Sequence, residues 1–240
     1  MPQGKRLTSI VTSESTVKLT LEEFEIPSPA PDEVLMEVQA SPINPSDLGL
    51  LLAGADASTA SKTENGLVLM LPDGAADALD GRLDQAMPVG NEGAGVVIDS
   101  GDQEAAQALQ GKVVAALVGG MYSTHRIIKA RDCLVLEEGT KAVDAASCFV
   151  NPLTALGMTE TMKVEGHSAL IHTAAASNLG QMLNRICIDD EIALVNIVRR
   201  EEHVQLLESQ GAEHIINSSS PNFRRDLVDA ILATGASIAF

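Results

Sequence analysis

The sequence predicts an α/β chain in two parts, a mostly antiparallel β domain over residues 1–150 and a doubly wound parallel sheet over residues 151–240. Three observations carry this reading. Apolar and polar residues alternate with period two in the first part, the mark of half-buried strands. From Asn151 onward, short apolar runs alternate with segments of helical periodicity, which implies parallel strands joined by crossover helices. Finally, 45% of the 240 residues are hydrophobic, so the chain can fill a core.

The strands of the first part are EVLMEVQA (33–40), GVVIDS (95–100), KVVAALV (112–118) and HRIIKA (125–130), each bounded by Gly, Pro, Asp or Ser. Between Gly54 and Pro88 the chain is rich in Ala, Asp, Gly and Ser with weak periodicity, which predicts a long loop or short helices. Such a segment either lines a site on the β scaffold or is a solvated insertion. In the second part SALIHTA (168–174) is the first strand. Leu179, Met182, Leu183, Ile186 and Cys187 follow at the spacing of a helix's buried stripe. IALVNIV (192–198) is the second strand, and the helix through EEHVQLLESQ stops at Gly211, in the preferred C′ position. HIIN (214–217) is the third strand. SSSP predicts the next helix start, with Ser220 as N-cap, Pro221 at the first helical position, and Phe223, Leu227, Val228, Ile231 and Leu232 as the apolar face. ASIAF (236–240) begins a fourth strand.

Composition narrows the function. Sixteen Lys and Arg stand against 33 Asp and Glu, a net charge of −17, with no basic stripe. That balance argues against nonspecific nucleic-acid or anionic-membrane binding. No Trp, one Tyr and four Phe count against base stacking. Cys133, Cys148 and Cys187 are odd in number and irregularly spaced, giving neither a disulfide framework nor a CxxC metal site, and they fit a reducing compartment. The start lacks an apolar stretch of signal-peptide length, and no window reaches membrane-span length. A cytoplasmic protein with a small-molecule partner is the expectation.

The turn after SALIHTA holds Ala174, Ser177 and Gly180 three residues apart, the spacing of G-x-G-x-x-G fingerprints between a first strand and its helix. Small residues there let backbone N–H groups and a helix N-terminus approach a pyrophosphate. They would equally suit a turn that only packs tightly. At the end of the second strand, where a carboxylate would bind the ribose hydroxyl of NAD, the chain instead has Arg199 and Arg200, which suit the 2′-phosphate of NADP. Two solvated arginines beside Glu201 and Glu202 are the plain alternative.

Six segments in order complete the pattern: ASPINPSDL (40–48), PVGNEGAGVV (88–97), GGMYSTHRIIKARDCLVLEEG (119–139), FVNPLTALGM (149–158), the AAASNLG turn and the VRR strand end. Together they resemble the zinc-free quinone oxidoreductase and enoyl reductase branch of the medium-chain dehydrogenase/reductase superfamily. The resemblance implies a GroES-like β-barrel catalytic domain, a Rossmann domain and NADPH as cofactor. It implies that Asn44 and Thr154 contact the nicotinamide end, with Asn151 in the same element. Ala174, Ser177, Asn178, Leu179 and Gly180 would form the pyrophosphate turn, and Arg199 with Arg200 the 2′-phosphate clamp. Asn44 is also an ordinary turn former before Pro45, and Thr154 an ordinary helix residue. Zinc relatives have a Cys where Ile43 and Asn44 stand and a His where Asn91 precedes Glu92, so no metal is expected.

The implied acceptor is a quinone or enone, and a homodimer is the family's habit. Enoyl reductases of this family have a tyrosine shortly after the INPxD segment, where this chain has Asp56 nearby and no tyrosine. A noncatalytic NADPH-binding protein is the second reading, and an enoyl-thioester reductase the third. The sequence stops in its fourth Rossmann strand, so the chain is expected to be a fragment of a longer reductase, marginal on its own.

Overall fold

Val11 and Val17 are both fully buried and face each other across a tight turn in which Ser15 takes a left-handed conformation, φ +55°. The first sheet of the computed structural model, which describes residues 2–240, grows from this hairpin. By contacts the chain divides into two units, one ending at Val150 and one spanning Asn151–Phe240.

The N-terminal unit contains, in order, β1 (Gln3–Thr12), β2 (Thr16–Glu25), β3 (Glu33–Ala40), α1 (Pro45–Leu52), β4 (Asp56–Thr63), β5 (Gly66–Met70), β6 (Met87–Pro88), β7 (Glu92–Ser100), α2 (Glu104–Gln107), β8 (Val113–Leu117), β9 (His125–Lys129), β10 (Leu134–Val135) and α3 (Ala142–Ala145). These strands form two five-stranded sheets, ordered β4-β5-β2-β1-β6 and β10-β8-β7-β3-β9, with antiparallel pairing throughout. Backbone bonds from Leu7 to Tyr122 (2.8 Å) and from Thr124 to Lys5 (2.8 Å) stitch β1 to the segment leading into β9. Val34, Met36, Val97, Val114 and Ile128 build one core, and Val11, Val17, Leu19 and Leu69 another. Arg82 braces α1: its Nη2 donates to the Leu50 carbonyl at 2.9 Å, while the Ser9 hydroxyl donates to the Leu51 carbonyl at 2.8 Å. Both satisfy carbonyls that a helix end leaves open.

The expected loop between Gly54 and Pro88 is corrected here, because its first half is the β4–β5 hairpin. All eight β4 residues are exposed, so no apolar alternation marked the strand. GLVLM, which pairs with β2 through Val17–Leu69 and Leu19–Leu67, is what holds it in the sheet.

The C-terminal unit runs α4 (Val150–Val164), β11 (Ala169–His172), α5 (Asn178–Asp189), β12 (Ala193–Val198), α6 (Glu201–Ser209), β13 (His214–Asn217), α7 (Phe223–Thr234) and β14 (Ile238–Ala239). Its strands are parallel and ordered β13-β12-β11-β14, which in chain order is third, second, first, fourth. This is the strand order of the first two-thirds of a Rossmann sheet. Ala155 and Met162 of α4 and Leu183 and Cys187 of α5 cover one face, and Phe223, Leu227 and Ala230 of α7 the other. Gly211 adopts φ +82° after α6, as a C′ glycine should.

Two details of α7 differ from expectation. Asn222, not Ser220, is its N-cap, because the Ser220 hydroxyl accepts the Asn222 N–H at 3.2 Å and its carbonyl the Phe223 N–H at 3.1 Å, holding Pro221 in a turn. Val228 and Leu232 are 52% and 77% exposed, so the buried face is narrower than the sequence stripe. Among the described residues no helix is long and apolar enough to cross a membrane.

His172 ends β11 buried, with Nδ1 3.2 Å from the Phe240 carbonyl, and burial pulls its pKa below the ordinary 6.5. The unfolded chain takes this proton near pH 6.5, the native one only at lower pH, so between those values the unfolded state binds more protons. Stability is therefore expected to fall with pH below about 6.5, by at most about 1.4 kcal/mol per pH unit. Chemical denaturation from pH 7.5 downward checks it against His172→Gln; equal slopes for the two proteins would clear His172 as the source.

Candidate functional site

The turn between β11 and α5 is built around Ser177, whose hydroxyl accepts the Gly180 N–H at 3.1 Å and so caps the helix. The Ser177 N–H donates in turn to the Ala174 carbonyl at 2.9 Å. Gly180 is pressed against the same turn. A Cβ there would lie 2.3 Å from the Ala175 carbonyl oxygen and 2.6 Å from that of Ala174, closer than any real contact. The third small position of the fingerprint therefore has to be glycine, whereas Ala174 and Ser177 fit as they are. Asn178 and Leu179 occupy the first two helical positions, where backbone N–H groups have no partner within the helix.

A groove of about 720 Å³ opens beside this turn, lined by Thr173, Ala174, Ala175, Ala176 and Ser177 on one side and by Ile197, Val198, Arg199, Arg200 and His203 on the other. The structure thus brings the predicted turn and both predicted arginines to one groove at the carboxyl ends of β11 and β12. The arginines are not equivalent. Arg200 pairs with Glu202 at 2.9 Å and donates to His203 Nε2 at 2.6 Å. Arg199 is exposed, and among the described residues its guanidinium makes no ion pair. His203 was missed in the sequence; its position three residues after Arg200, on the first turn of α6, was the available signal.

A second polar cluster lies in the N-terminal unit. Asn44 is 3% exposed and donates from Nδ2 to Glu92 Oε1 at 2.9 Å. Glu92, fully buried, accepts with Oε2 from the N–H groups of Phe149 (2.9 Å) and Val150 (3.1 Å). Asp47, also buried, accepts from the N–H groups of Asn44 and Asn91, both at 2.8 Å. The Asn91 amide donates to Ser46 Oγ at 3.1 Å. Tyr122 donates to the Pro42 carbonyl at 3.0 Å, and burial reinforced by the Asp47 carboxylate pushes its pKa up to about 12. Asn44 thus braces Glu92 through its amide nitrogen. Asn151 and Thr154 lie in the other unit, on the first turns of α4, with Thr154 exposed.

Asp56 is exposed, and hydrogen bonds from the Ser58 hydroxyl (2.7 Å) and N–H (2.8 Å) hold its pKa below the usual carboxylate value. It is ionised at neutral pH and a poor proton donor. Among the described residues no group of three or more His, Cys, Asp or Glu is placed to hold a metal ion.

No family model matches the chain. It is similar to the mitochondrial enoyl-acyl-carrier-protein reductase of Xenopus tropicalis, 27% identical over 204 residues that cover 82% of this chain and 51% of the relative. The chain spans about half the length of the curated relatives it matches. A solved structure of a protein assigned as an NADPH:quinone reductase from Mesorhizobium loti matches with a TM-score of 0.71 and 26% identity, covering 100% of this chain and 67% of that one. The complex of Etr1p with NADP and crotonyl-CoA matches with a TM-score of 0.70 and 21% identity, covering 100% and 68%.

Proposed function

We propose that this chain, whose structural neighbours are NADPH:quinone reductases and enoyl reductases of the medium-chain dehydrogenase/reductase superfamily, is the cofactor-binding and substrate-positioning part of an NADPH-dependent oxidoreductase acting on a quinone or other carbonyl-conjugated acceptor. The observation that carries the reading is the groove that joins a glycine-tight turn to two guanidiniums. When bound, NADPH supplies the hydride. The turn from Ala174 to Gly180 would hold the pyrophosphate through the N–H groups of Asn178 and Leu179 and the positive end of α5. Arg199 would take the 2′-phosphate, with Arg200, already shared with Glu202 and His203, at the rim. Asn44, held by Glu92, and Asn151 with Thr154 are the nicotinamide-end candidates.

The reading without zinc rests on residues present. Buried Asn44 and half-buried Asn91, where zinc relatives carry Cys and His, are both engaged in hydrogen bonds. A quinone suits this chain because its reduced oxyanion is a weak base that solvent can protonate. Neither Asp56, ionised, nor Tyr122, bonded to a backbone carbonyl, is poised to protonate carbon. The enoyl-thioester reading has its own support, since the curated relatives are enoyl-acyl-carrier-protein reductases.

Titration with NADPH and NADH tests the cofactor assignment. Arg199→Ala is expected to weaken NADPH by about tenfold to a hundredfold and leave NADH unchanged, the effect of one charge-assisted phosphate contact. An unaltered NADPH-to-NADH ratio would overturn it. Turnover of a benzoquinone against a crotonyl thioester at equal NADPH separates the two acceptors, and NADPH binding without oxidation by either would favour the noncatalytic reading.

A further inference from the structure

Outside the groove, a half-buried cation of the N-terminal unit, Arg126, makes no ion pair among the described residues. Arg126 lies on β9 opposite the buried Met36 of β3, so its side chain starts on the core side of the sheet. Its Nε donates to the Gly119 carbonyl at 2.9 Å; among the described residues its two terminal nitrogens have no hydrogen-bond or ion-pair partner. Burial lowers the Arg126 pKa, and the nearby Arg6 charge adds to it. Arg6 itself is held by Glu22 Oε2, 3.2 Å from both Nε and Nη2, and its guanidinium sits 5.4 Å from the centre of the Phe24 ring.

Both arginines line one cavity of about 290 Å³, whose remaining wall is largely apolar: Phe24, Ile26, Pro27, Leu35, Pro88 and Ile127. Glu25 and His125 also line it, but Glu25 makes no ion pair with either guanidinium and His125 Nδ1 is turned to the Thr124 hydroxyl at 2.9 Å. Gly120, at φ +67°, keeps the space open, since a Cβ there would lie 3.1 Å from Arg126 Nε and 3.2 Å from Pro88 Cβ. Glu22 is bonded to Arg6 and Glu25 stands at the wall unbonded, so the two guanidiniums and two carboxylates balance in number, and it is the terminal nitrogens of Arg126 that lack a bonded acceptor among the described residues. The guanidinium fork takes a carboxylate bidentately, as it does a phosphate, and the apolar wall favours a carboxylate carried on an apolar body.

We propose that this cavity binds a compact organic monoanion, a carboxylate on an apolar or aromatic body. The carboxylate meets the terminal nitrogens of Arg126 with Arg6 beside it, and the body lies against Phe24, Leu35 and Ile127. The volume is at the lower limit of ligand pockets, room for a single ring and too little for a dinucleotide.

Nuclear magnetic resonance on the labelled 240-residue chain tests this with benzoate, its neutral isostere benzamide, and inorganic phosphate as probes. Benzoate is expected to shift the Arg126 Nε–H and Ile127 methyl signals saturably, with Kd of about 1 mM or tighter, and benzamide to leave them in place. Arg126→Gln is expected to raise the benzoate Kd by about tenfold or more with NADPH affinity unchanged. Absence of a saturable benzoate shift, or equal shifts with benzamide, would overturn the site. Phosphate binding as tightly as benzoate would overturn the apolar part of the assignment. The benzoate–benzamide comparison uses the unaltered protein, so it decides even if the variant fails to fold.

Discussion

Replacing Glu92 with alanine is expected to cost the N-terminal unit about 2–6 kcal/mol, because buried hydrogen-bond donors lose the acceptor they share. The side chain is fully buried and its two oxygens serve three donors, Asn44 Nδ2 and the N–H groups of Phe149 and Val150. Alanine takes the carboxylate acceptor from Asn44 Nδ2 and from the Phe149 N–H, and each buried donor so stranded costs about 1–3 kcal/mol. Glu92→Gln keeps the shape but turns an amide NH₂ toward a donor, so a smaller loss of about 1–3 kcal/mol is expected. Urea unfolding followed by circular dichroism measures both. A loss below about 1 kcal/mol for the alanine variant would mean that water replaces the carboxylate and that the cluster is no brace.

Gly180→Val is the counterpart in the C-terminal unit and is expected to lower both stability and NADPH affinity. Overpacking typically costs about 1–3 kcal/mol and more when backbone must move. Here the obstacles are the backbone oxygens of Ala174 and Ala175, which no rotamer change can relieve. Moving them displaces the turn that lines the groove, so cofactor affinity should fall together with the melting temperature. Gly157→Ala, in α4 with open space around the position, is the control, expected to stabilise by up to about 1 kcal/mol through helix propensity. A Gly180→Val protein that melts and binds NADPH like the parent would remove the close approach as the reason for glycine.

Much of the C-terminal unit is legible in the sequence because strands and helices there have different periods. Leu183 and Cys187, read as a buried stripe, are 0% and 1% exposed, and the alternation of elements gives the parallel sheet. Where a boundary depends on one hydroxyl, as at Ser220, the pattern allows two starts and only the bonds the hydroxyl and carbonyl make choose between them. The Asn44–Glu92 pair spans 48 residues of sequence, and no local period points from one to the other. Glu92 could be read as a bracing residue, but its partners could not. The Arg126 cavity was invisible for a related reason: a cation in a period-two strand reads as solvent-facing, whereas β3 pairing turns it to the core side.

The β4 hairpin strand has a bearing on how relatives of this chain can be recognised. Its fold is carried by the ladder to β5 and by the Asp56–Ser58–Thr59 bonds that close the register shift, including Thr59 Oγ1 accepting the Met70 N–H at 2.8 Å. The other β4 residues bury nothing and can be exchanged at little cost, provided they tolerate an extended edge. Mutational drift will therefore erase residue identity across 56–63 while the backbone path persists, and alignments of distant homologues will open gaps over a strand that both proteins share.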